Sequence, residues 1–524
     1  MLYCRHLIFP LFTPAMRLFS ILLLALLPLA FLGVMVAAPL WALADYGGSV
    51  EWQQTLADPY IRERIQWTLI QALISCVVTL VLSLPIAWTL ARLEFRGRRL
   101  ILRLLMLPFV MPTLVAAMGV LALFGARGLL LPGWQDTPYL LLYGNVFFNL
   151  PVMVRATYQG LRQIPAHRLQ AAQTLGANGW QRWRHVEWPV LRPWLAGGGC
   201  LVFLYCFSGF GLALLLGGSR YATVEVAIYR LIAVELNMQQ AAVLVWLVLA
   251  ITAVAGASYA LISRRTVSGT AVQAIAPAPC RTLSQRLLLA FSLALLFLCC
   301  ALPLAAIAVQ AAAAGSSWRV LWQPDTLAAL WNTLRFTGGA MLAATLLGIL
   351  HAALARRLVW VRGITFLPFM VSPVCVAFGV LLLYPEWSAS LPLLIATYAL
   401  LAYPFITKDL LAAWDALPAS YSAAARTMGA NRFQTGIFVT APLLLPALRR
   451  GLTLAAATCI GEFAATLFLS RPEWQTLTTL IYHYLGLPGA DNRDQAMVLS
   501  FVLMALALAV FLLLDAAEKK TARV

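Results

Sequence analysis

One long stretch of this chain occurs twice, and this repeat constrains the fold more than any other feature. A shift of 253 positions carries Pro151 to Pro404, Gly176-Ala177-Asn178 to Gly429-Ala430-Asn431, and Ile228-Tyr229 to Ile481-Tyr482. A duplication of this kind inside an apolar chain is typical of two homologous membrane halves that meet around one pathway. We therefore expect a fold built from two similar halves.

Apolar runs long enough to cross a bilayer recur along the whole chain. Hydrophobic residues make up 62% of the 524 residues and charged residues only 11%, which is too apolar for a soluble core. Runs of about 20 residues, the length of a membrane-spanning helix, lie near 19–43, 66–91, 101–124, 137–160, 192–217, 240–263, 284–310, 332–355, 363–384, 390–413, 452–470 and 495–514. The sequence therefore predicts an all-α polytopic membrane protein with about twelve transmembrane helices, in two homologous six-helix halves. The first half is expected at 1–263 and the second at 284–524, joined by a polar, proline-containing linker at 264–283.

Basic residues mark one face of the membrane. They cluster between the second and third and between the fourth and fifth runs of each half, starting near Arg92, Arg162, Arg356 and Arg426. Short cytoplasmic loops retain Lys and Arg, so these loops, the linker and both termini are predicted to be cytoplasmic. The net charge of +18 is then explained by membrane topology, and nucleic acid is not an expected partner.

Two of the basic loops, near 162–190 and 415–443, share the same turn and capping residues. In the first loop, Pro165 can open a short helix, Gly176 can end it in a left-handed conformation, Asn178 can cap a second short helix, and Pro189 can start the next span. The second loop repeats this order with Pro418, Gly429, Asn431 and Pro442. A single loop of this kind is readily explained as ordinary interfacial helices. Two matched copies favour a docking element for another protein.

The paired loops resemble the coupling loops of the inner-membrane permeases of binding-protein-dependent ABC importers. The hallmark of that family is a cytoplasmic Glu-Ala-Ala-x-x-x-Gly loop followed by a proline-containing stretch. The matching residues are Gln170, Ala171, Ala172, Gly176, Asn178 and Pro189 in the first copy, and Ala424, Ala425, Gly429, Asn431 and Pro442 in the second. Both copies lack the leading Glu, since Gln170 and Ala423 stand at that position, so the resemblance implies no role for a carboxylate there.

The resemblance also implies a function. A double-length permease with two such loops looks like the thiamine and ferric-iron subgroup, and the strings at 146–151 and 225–229 favour thiamine. It implies a bacterial inner-membrane protein that works by alternating access with a cytoplasmic ATPase dimer and an external substrate-binding protein. The chain contains no G-x-x-x-x-G-K-[ST] motif, so ATP is expected on the partner and no cofactor on this chain.

One charged residue falls in the middle of a predicted span. Glu462 lies about ten residues into the run 452–470, and a carboxylate at that depth lines a cavity or pairs with a cation by default. The alternative is a hydrogen-bonded glutamate that holds helices together, and the sequence leaves both open. Its repeat mate is Gly209. The matched segments Ser208-Gly209-Phe210 and Gly461-Glu462-Phe463 are predicted to line the translocation path, with small-residue helix contacts as the alternative.

Two other classes are less well supported. An ion-coupled secondary transporter can have twelve spans in two halves, but it is expected to carry several intramembrane charges, whereas Glu462 is nearly alone in the predicted spans. A membrane enzyme is disfavoured because the five histidines are scattered and show no metal-ligand spacing. The sequence therefore predicts neither a catalytic residue nor a metal site.

Overall fold

The computed structural model of the chain describes residues 26–47, 52–266, 275–365, 368, 371–388 and 390–521, and nearly all of this backbone is helical. Within these ranges, ten helices are long and apolar enough to cross a membrane: Leu26–Leu43, Pro59–Arg92, Pro138–Arg162, Gly179–Phe207, Met238–Ile262, Leu283–Ala313, Pro324–Arg357, Leu391–Ala416, Arg432–Ile460 and Ala490–Leu514. The pair Arg98–Val110 and Thr113–Phe124, bent by 100°, makes an eleventh if it is counted as one span. The predicted all-α membrane fold is confirmed.

Shorter elements connect or extend these spans. The helical ones are Trp52–Ala57, Ala166–Thr174, Phe210–Leu216, Val224–Ala233, Val359–Ile364, Pro373–Leu383, Ala419–Thr427, Ala464–Leu469 and Leu477–Gly486, with 3-10 turns at Gly315–Trp322, Pro385–Trp387 and Pro472–Trp474. Two residues of the predicted linker, Ala278–Pro279, pair in parallel with Leu93–Glu94. The guanidinium of Arg162 also donates a hydrogen bond to the carbonyl of Ile275 at 3.2 Å. The described end of the linker is therefore held against the basic loops of the first half, while residues 267–274 lie outside the described ranges.

Four predicted spans differ from the structure. The run 101–124 is not one straight helix, because Arg98–Val110 and Thr113–Phe124 are bent by 100° relative to each other. The run 192–217 is a helix, Trp188–Phe207, followed by a break and a second helix, Phe210–Leu216. The run 452–470 is broken in the same way, between Ala441–Ile460 and Ala464–Leu469. The helix Ala441–Ile460 also begins earlier than predicted, so Arg449 and Arg450 lie inside it and not in a loop.

The fourth difference concerns the predicted span 363–384. Its described part contains one apolar helix, Pro373–Leu383, which has 11 residues. At a rise of about 1.5 Å per residue this helix by itself is shorter than the hydrocarbon core of a bilayer. Residues 366–367 and 369–370 of the run lie outside the described ranges.

The first helix of each half packs against the other half. In one direction, an added Cβ at Gly379 would lie 2.9 Å from the Cβ of Pro39, and the hydroxyl of Tyr384 donates to the carbonyl of Val34 at 3.0 Å. In the other direction, the side-chain amide of Gln310 donates to the carbonyl of Ala122 at 2.9 Å. The two halves are therefore interlocked by an exchange of their first helices.

Inside each half, one glycine lets the same two helices approach closely. An added Cβ at Gly198 would lie 2.9 Å from the Cβ of Ala156, and at Gly451 it would lie 2.7 Å from the Cα of Ile406. The two glycines are repeat mates. In a bilayer the hydrophobic effect does not favour contact between helices, because the lipid tails are apolar as well. Close van der Waals packing at small residues stabilises such contacts instead. The repeat therefore preserves a helix contact as well as a loop.

A β-branched side chain at this contact is expected to destabilise the second half. We expect Gly451→Val to cost about 1–3 kcal/mol, the usual cost of overpacking, because the backbone of Ile406 cannot move aside as a side chain can. The measurement is the thermal unfolding midpoint of the detergent-purified protein. The matched control is Gly338→Val, since an added Cβ at Gly338 meets no atom within 4 Å. Equal midpoints for the two variants would contradict the packing argument.

Candidate functional site: a central cavity and two matched loops

A cavity of about 250 Å³ lies where the two halves meet. Its wall contains every residue that the sequence predicts for the path: Ser208, Gly209, Phe210, Gly461, Glu462 and Phe463. These residues form the two helix breaks, so the matched segments of the two halves face one space. At the same time Gly461 makes a close contact between halves, because an added Cβ there would lie 3.0 Å from the Cα of Pro112. Gly461 is therefore both a lining residue and a small-residue contact.

Glu462 lies in a helix break, and this corrects its predicted place inside a continuous span. Its side-chain Oε1 accepts a hydrogen bond from the backbone N–H of Ala465 at 2.9 Å, and its carbonyl accepts one from the hydroxyl of Thr478 at 2.9 Å. The start of a helix leaves N–H groups without intrahelical partners, and the carboxylate satisfies one of them. Glu462 is 7% exposed and lines the cavity. Glu462 therefore lines a cavity, as the first interpretation predicts, and its side chain is hydrogen-bonded within the protein, as the second predicts.

A second buried carboxylate, Glu225, was missed by sequence reasoning. It is fully buried, and its Oε2 accepts a hydrogen bond from the hydroxyl of Ser372 at 2.7 Å. Ser372 belongs to the other half and lines the cavity. Within the described residues, the Oε1 atom of Glu225 has no hydrogen-bond partner. Glu462 is therefore not the only buried carboxylate among the described residues.

The position of Glu225 explains why it was missed. It lies between the predicted spans 192–217 and 240–263, so it is not counted among the charges within spans. In the structure the segment forms the helix Val224–Ala233, which is largely buried. The signal was available, since Glu225 is the one charged residue in the apolar string Val224-Glu225-Val226-Ala227-Ile228.

Aromatic side chains from both halves meet at the wall of the cavity. Phe210 stacks on its repeat mate Phe463 with ring centroids 6.0 Å apart and planes at 23°. Phe210 also contacts Tyr229 at 5.6 Å, and Phe463 contacts Tyr482 at 5.3 Å. Tyr229 and Tyr482 are again repeat mates. The four rings form a two-fold aromatic cluster.

The helix direction shows on which side of the break several cavity residues lie. We call the face that carries the loops near 162–190 and 415–443 the loop side. The helix Trp188–Phe207 starts at this face, and its cavity residues Leu201, Leu204 and Tyr205 come before the break. These three cavity residues therefore lie on the loop side of the break that precedes Phe210.

The two loops have the local structure that their sequences predict. The helices Ala166–Thr174 and Ala419–Thr427 end at Gly176 and Gly429, whose φ angles are +76° and +85°. The side chain of Asn178 then accepts from the backbone N–H of Gln181 at 2.9 Å, and Asn431 does the same for Gln434 at 2.8 Å. The left-handed turns and the asparagine caps are confirmed.

The second helix of each loop is not separate from the span that follows it, which corrects the prediction. The residues Gly179–Phe207 form one helix, and Arg432–Ile460 form its mate. In both, a π-helical turn, Trp183–Glu187 or Gly436–Thr440, precedes the proline at 189 or 442. A proline inside a helix cannot donate its backbone hydrogen bond and clashes with the preceding turn. A wider turn is one of the known ways to accommodate such a disruption.

Each loop also exposes large apolar side chains that sequence reasoning did not single out. Leu175 is 87% exposed and its repeat mate Met428 is 88% exposed. Trp180 and its mate Phe433 are exposed as well. The helices Ala166–Thr174 and Ala419–Thr427 contain no buried residue, and on them Gln170, Ala171 and Ala424 are exposed while Ala172 and Ala425 are half-buried. Matched apolar side chains at equivalent positions mark a surface that fits a partner.

The comparisons with known proteins identify the family. The family described as binding-protein-dependent transport system inner membrane component matches residues 81–268 and again residues 344–522. The chain belongs to this family. Each match contains one loop and one helix break, so the family region occurs once per half. The family match and the apolar helices together show that the chain is a multi-pass inner-membrane protein.

Individual relatives match over most of the chain. The thiamine transport system permease protein ThiP of Salmonella typhimurium is 30% identical over 517 residues, covering 91% of this chain and 92% of that protein. ThiP of Escherichia coli is 28% identical over 506 residues, covering 89% and 90%. The sulfate transport system permease protein CysT of Escherichia coli is 29% identical over 211 residues, covering 39% of this chain and 73% of that protein. A part of this chain therefore matches most of a shorter permease.

Charging the exposed apolar residues is expected to abolish docking without unfolding the chain. The double variant Leu175→Asp with Met428→Asp changes two side chains that contact almost nothing in the chain. We expect loss of co-purification with the cognate ATPase, with an unchanged elution profile and melting midpoint. The matched control is Leu130→Asp, a 51% exposed leucine in the connection that precedes helix Pro138–Arg162, at the face opposite the loops. If the ATPase still co-purifies with the double variant, the hypothesis that these two side chains contact the ATPase is wrong.

Proposed function

We propose that the chain is the transmembrane permease of an ATP-driven thiamine importer and forms the whole translocation path by itself. The observation that carries the proposal is the pair of repeat-related helix breaks that face one cavity between the halves. The thiamine permeases of Salmonella typhimurium and Escherichia coli are similar to this chain over about nine-tenths of its length. This similarity favours thiamine over ferric iron, the alternative cargo that the sequence left open.

The chemistry of the cavity fits an aromatic cation such as thiamine. Phe109 packs against Phe148 and Tyr205, with ring centroids 5.2 Å apart in both pairs, and all three residues line the wall. Glu462 supplies a carboxylate on the same wall. Aromatic faces attract cations, and a carboxylate lowers the free energy of a desolvated positive charge. Such a wall provides a transient contact, while selectivity rests with an external binding protein.

The loops and the cavity are connected by continuous helices. Each loop continues into a 29-residue helix, Gly179–Phe207 or Arg432–Ile460, which ends at a break on the cavity wall. At about 1.5 Å per residue, such a helix is about 40 Å long. We propose that a cytoplasmic ATPase dimer grips the exposed apolar side chains of both loops, and that its closure moves these helices as levers. The two-fold relation of the loops suits a symmetric dimer.

In this proposal the loop side and both termini are cytoplasmic, as the distribution of basic residues indicates. ATP binds to the partner, and a substrate-binding protein docks on the opposite face. We propose that the described arrangement is the inward-facing one, with the aromatic cluster between the cavity and the outer face. Opening of the outer face requires separation of Phe210 from Phe463.

The decisive experiment is uptake into proteoliposomes that hold this chain with its cognate ATPase and binding protein. We expect accumulation of labelled thiamine that requires both ATP and the binding protein, and none of chelated ferric iron. Uptake of ferric iron would mean that the cargo is ferric iron and not thiamine. The proposal that the chain is an ABC importer permease would still hold. Uptake that is driven by a proton gradient without ATP would refute the ABC importer mechanism.

Glutamate-to-glutamine substitution separates the charge of Glu462 from its structural role. Glu462→Gln keeps an oxygen that can accept from the backbone N–H of Ala465, but it removes the charge. We expect thiamine uptake to fall about tenfold or more, since hydrogen bonds and contacts to charged groups contribute about 1.5–3 kcal/mol, with an unchanged melting midpoint. Glu462→Ala, which removes both functions, should lose stability as well. Unchanged uptake with Glu462→Gln would leave Glu462 only its capping role.

A further inference from the structure

A second cavity, of about 580 Å³, lies in the second half beside its loop. It is enclosed by the ends of helices Pro324–Arg357 and Leu391–Ala416 and by the segment that runs from the loop into helix Ala441–Ile460. It has no residue in common with the central cavity. Neither the translocation path nor the family assignment accounts for it.

Three arginines line this cavity: Arg356, Arg426 and Arg432. They come from three different segments, and within the described residues none of them forms an ion pair. The guanidinium of Arg356 lies 4.9 Å from the ring centroid of Trp414, which also lines the cavity. The nearby carboxylate of Asp415 is engaged by Arg362 at 2.7 Å. The cavity therefore collects positive charge that the chain itself does not neutralise, and an anionic ligand suits it.

The rest of the wall is apolar and lies deeper along the same helices. Ile349 is two turns before the end of helix Pro324–Arg357, and Leu410 precedes Trp414 by one turn on helix Leu391–Ala416. Leu444 and Leu448 continue the apolar wall on helix Ala441–Ile460. A cavity with arginines at the loop side and aliphatic side chains toward the membrane has the two-part character of a phospholipid. A soluble anion would have no use for the apolar part.

The first half carries different residues at two positions of this cavity's wall. The repeat mate of Gly436, which lines the cavity, is Trp183, and the mate of Arg426 is Gln173. Trp183 stacks between Trp180 and Trp188, with ring centroids 5.2 and 5.3 Å away. An added Cβ at Gly436, by contrast, meets no atom within 4 Å. Arg426 and Gly436 therefore occur in the second loop only, whereas the left-handed turn and the asparagine cap occur in both loops.

From these observations we propose that the cavity lined by Arg356, Arg426 and Arg432 is a binding site for a membrane phospholipid with an anionic headgroup. The phosphate lies among the three guanidinium groups, and the acyl chains lie along Ile349, Leu410 and Leu448. Clusters of arginine at the cytoplasmic membrane surface attract anionic headgroups in this way. The bound lipid connects the second loop to the helices behind it. The site is independent of the cargo.

The test is native mass spectrometry of the full-length chain, titrated in detergent with phosphatidylglycerol and, separately, with phosphatidylethanolamine. We expect wild type to retain phosphatidylglycerol preferentially. Arg426→Gln and Gly436→Trp both copy the residue that the first half carries at the same position. Arg426→Gln should weaken retention about fivefold, the effect of one arginine near an anionic membrane surface, and Gly436→Trp should abolish it by filling the space. Arg357→Gln, an exposed neighbour of Arg356 that does not line the cavity, should change retention less than twofold.

Three results would overturn the proposal. One is equal retention of phosphatidylglycerol by wild type, Arg426→Gln and Gly436→Trp. Another is equal retention of phosphatidylethanolamine by wild type, which would remove the role of charge. The third is competition by inorganic phosphate that depends on Arg426 while no lipid is retained, which would assign the arginines to a soluble anion. If the elution profile shows that Gly436→Trp does not fold, the test is the comparison of phosphatidylglycerol retention by Arg426→Gln and by Arg357→Gln. Equal retention by these two variants would then overturn the proposal.

Discussion

The bilayer interior offers no water to hydrogen-bond a freed backbone group, and this constraint governs the centre of the structure. Two matched spans of this chain are nevertheless broken, before Phe210 and before Ala464, and a third is bent by 100° between Val110 and Thr113. Such breaks are tolerated only where they are enclosed by protein or line a cavity. Here they do both, since the two breaks face each other across the cavity and Glu462 satisfies the N–H of Ala465. The position of the cavity therefore follows from where broken backbone can exist.

The exchange of first helices provides the enclosure that these breaks require. The helix that precedes Gly47 packs on Pro373–Leu383 of the other half, and the helix that precedes Ala314 packs on Thr113–Phe124. Each half thus covers the short or bent segment of its mate. In the proposed transport cycle, this interlocking lets the halves rock without separating.

Differences between repeat mates carry as much information as the repeat itself. Gly209 and Glu462 are mates, as are Glu225 and Thr478, so each buried carboxylate occurs in one half only, Glu225 in the first and Glu462 in the second. Trp183 and Gly436 differ in the same way, and the second cavity exists where the glycine stands. A duplicated chain can keep its scaffold symmetric and place a charge or a cavity-lining residue once. Two identical subunits would have to place each of them twice.

Local and periodic properties were predictable from the sequence by itself. The apolar runs determine the membrane class, the basic loops and the repeat determine the two-half plan, and Gly176, Asn178 and their mates determine the turns of both loops. These properties depend on residues close together in the chain or on solvent preference, so no long-range contact is needed to infer them.

Only the tertiary structure decided which residues meet. The burial of Glu225 against Ser372, the stack of Phe210 on Phe463, the exchange of first helices and the arginine-lined cavity all join segments more than 50 positions apart or belonging to different halves. The helix breaks at Gly209 and Glu462 lie inside continuous apolar runs and could not be predicted from hydropathy. Hydropathy indicates whether a segment lies in lipid or in water, but it does not indicate where the backbone leaves the helical conformation. The sequence determined the solvent, the symmetry and the local turns of this protein. Side-chain packing between distant helices decided where its cavities and buried charges lie.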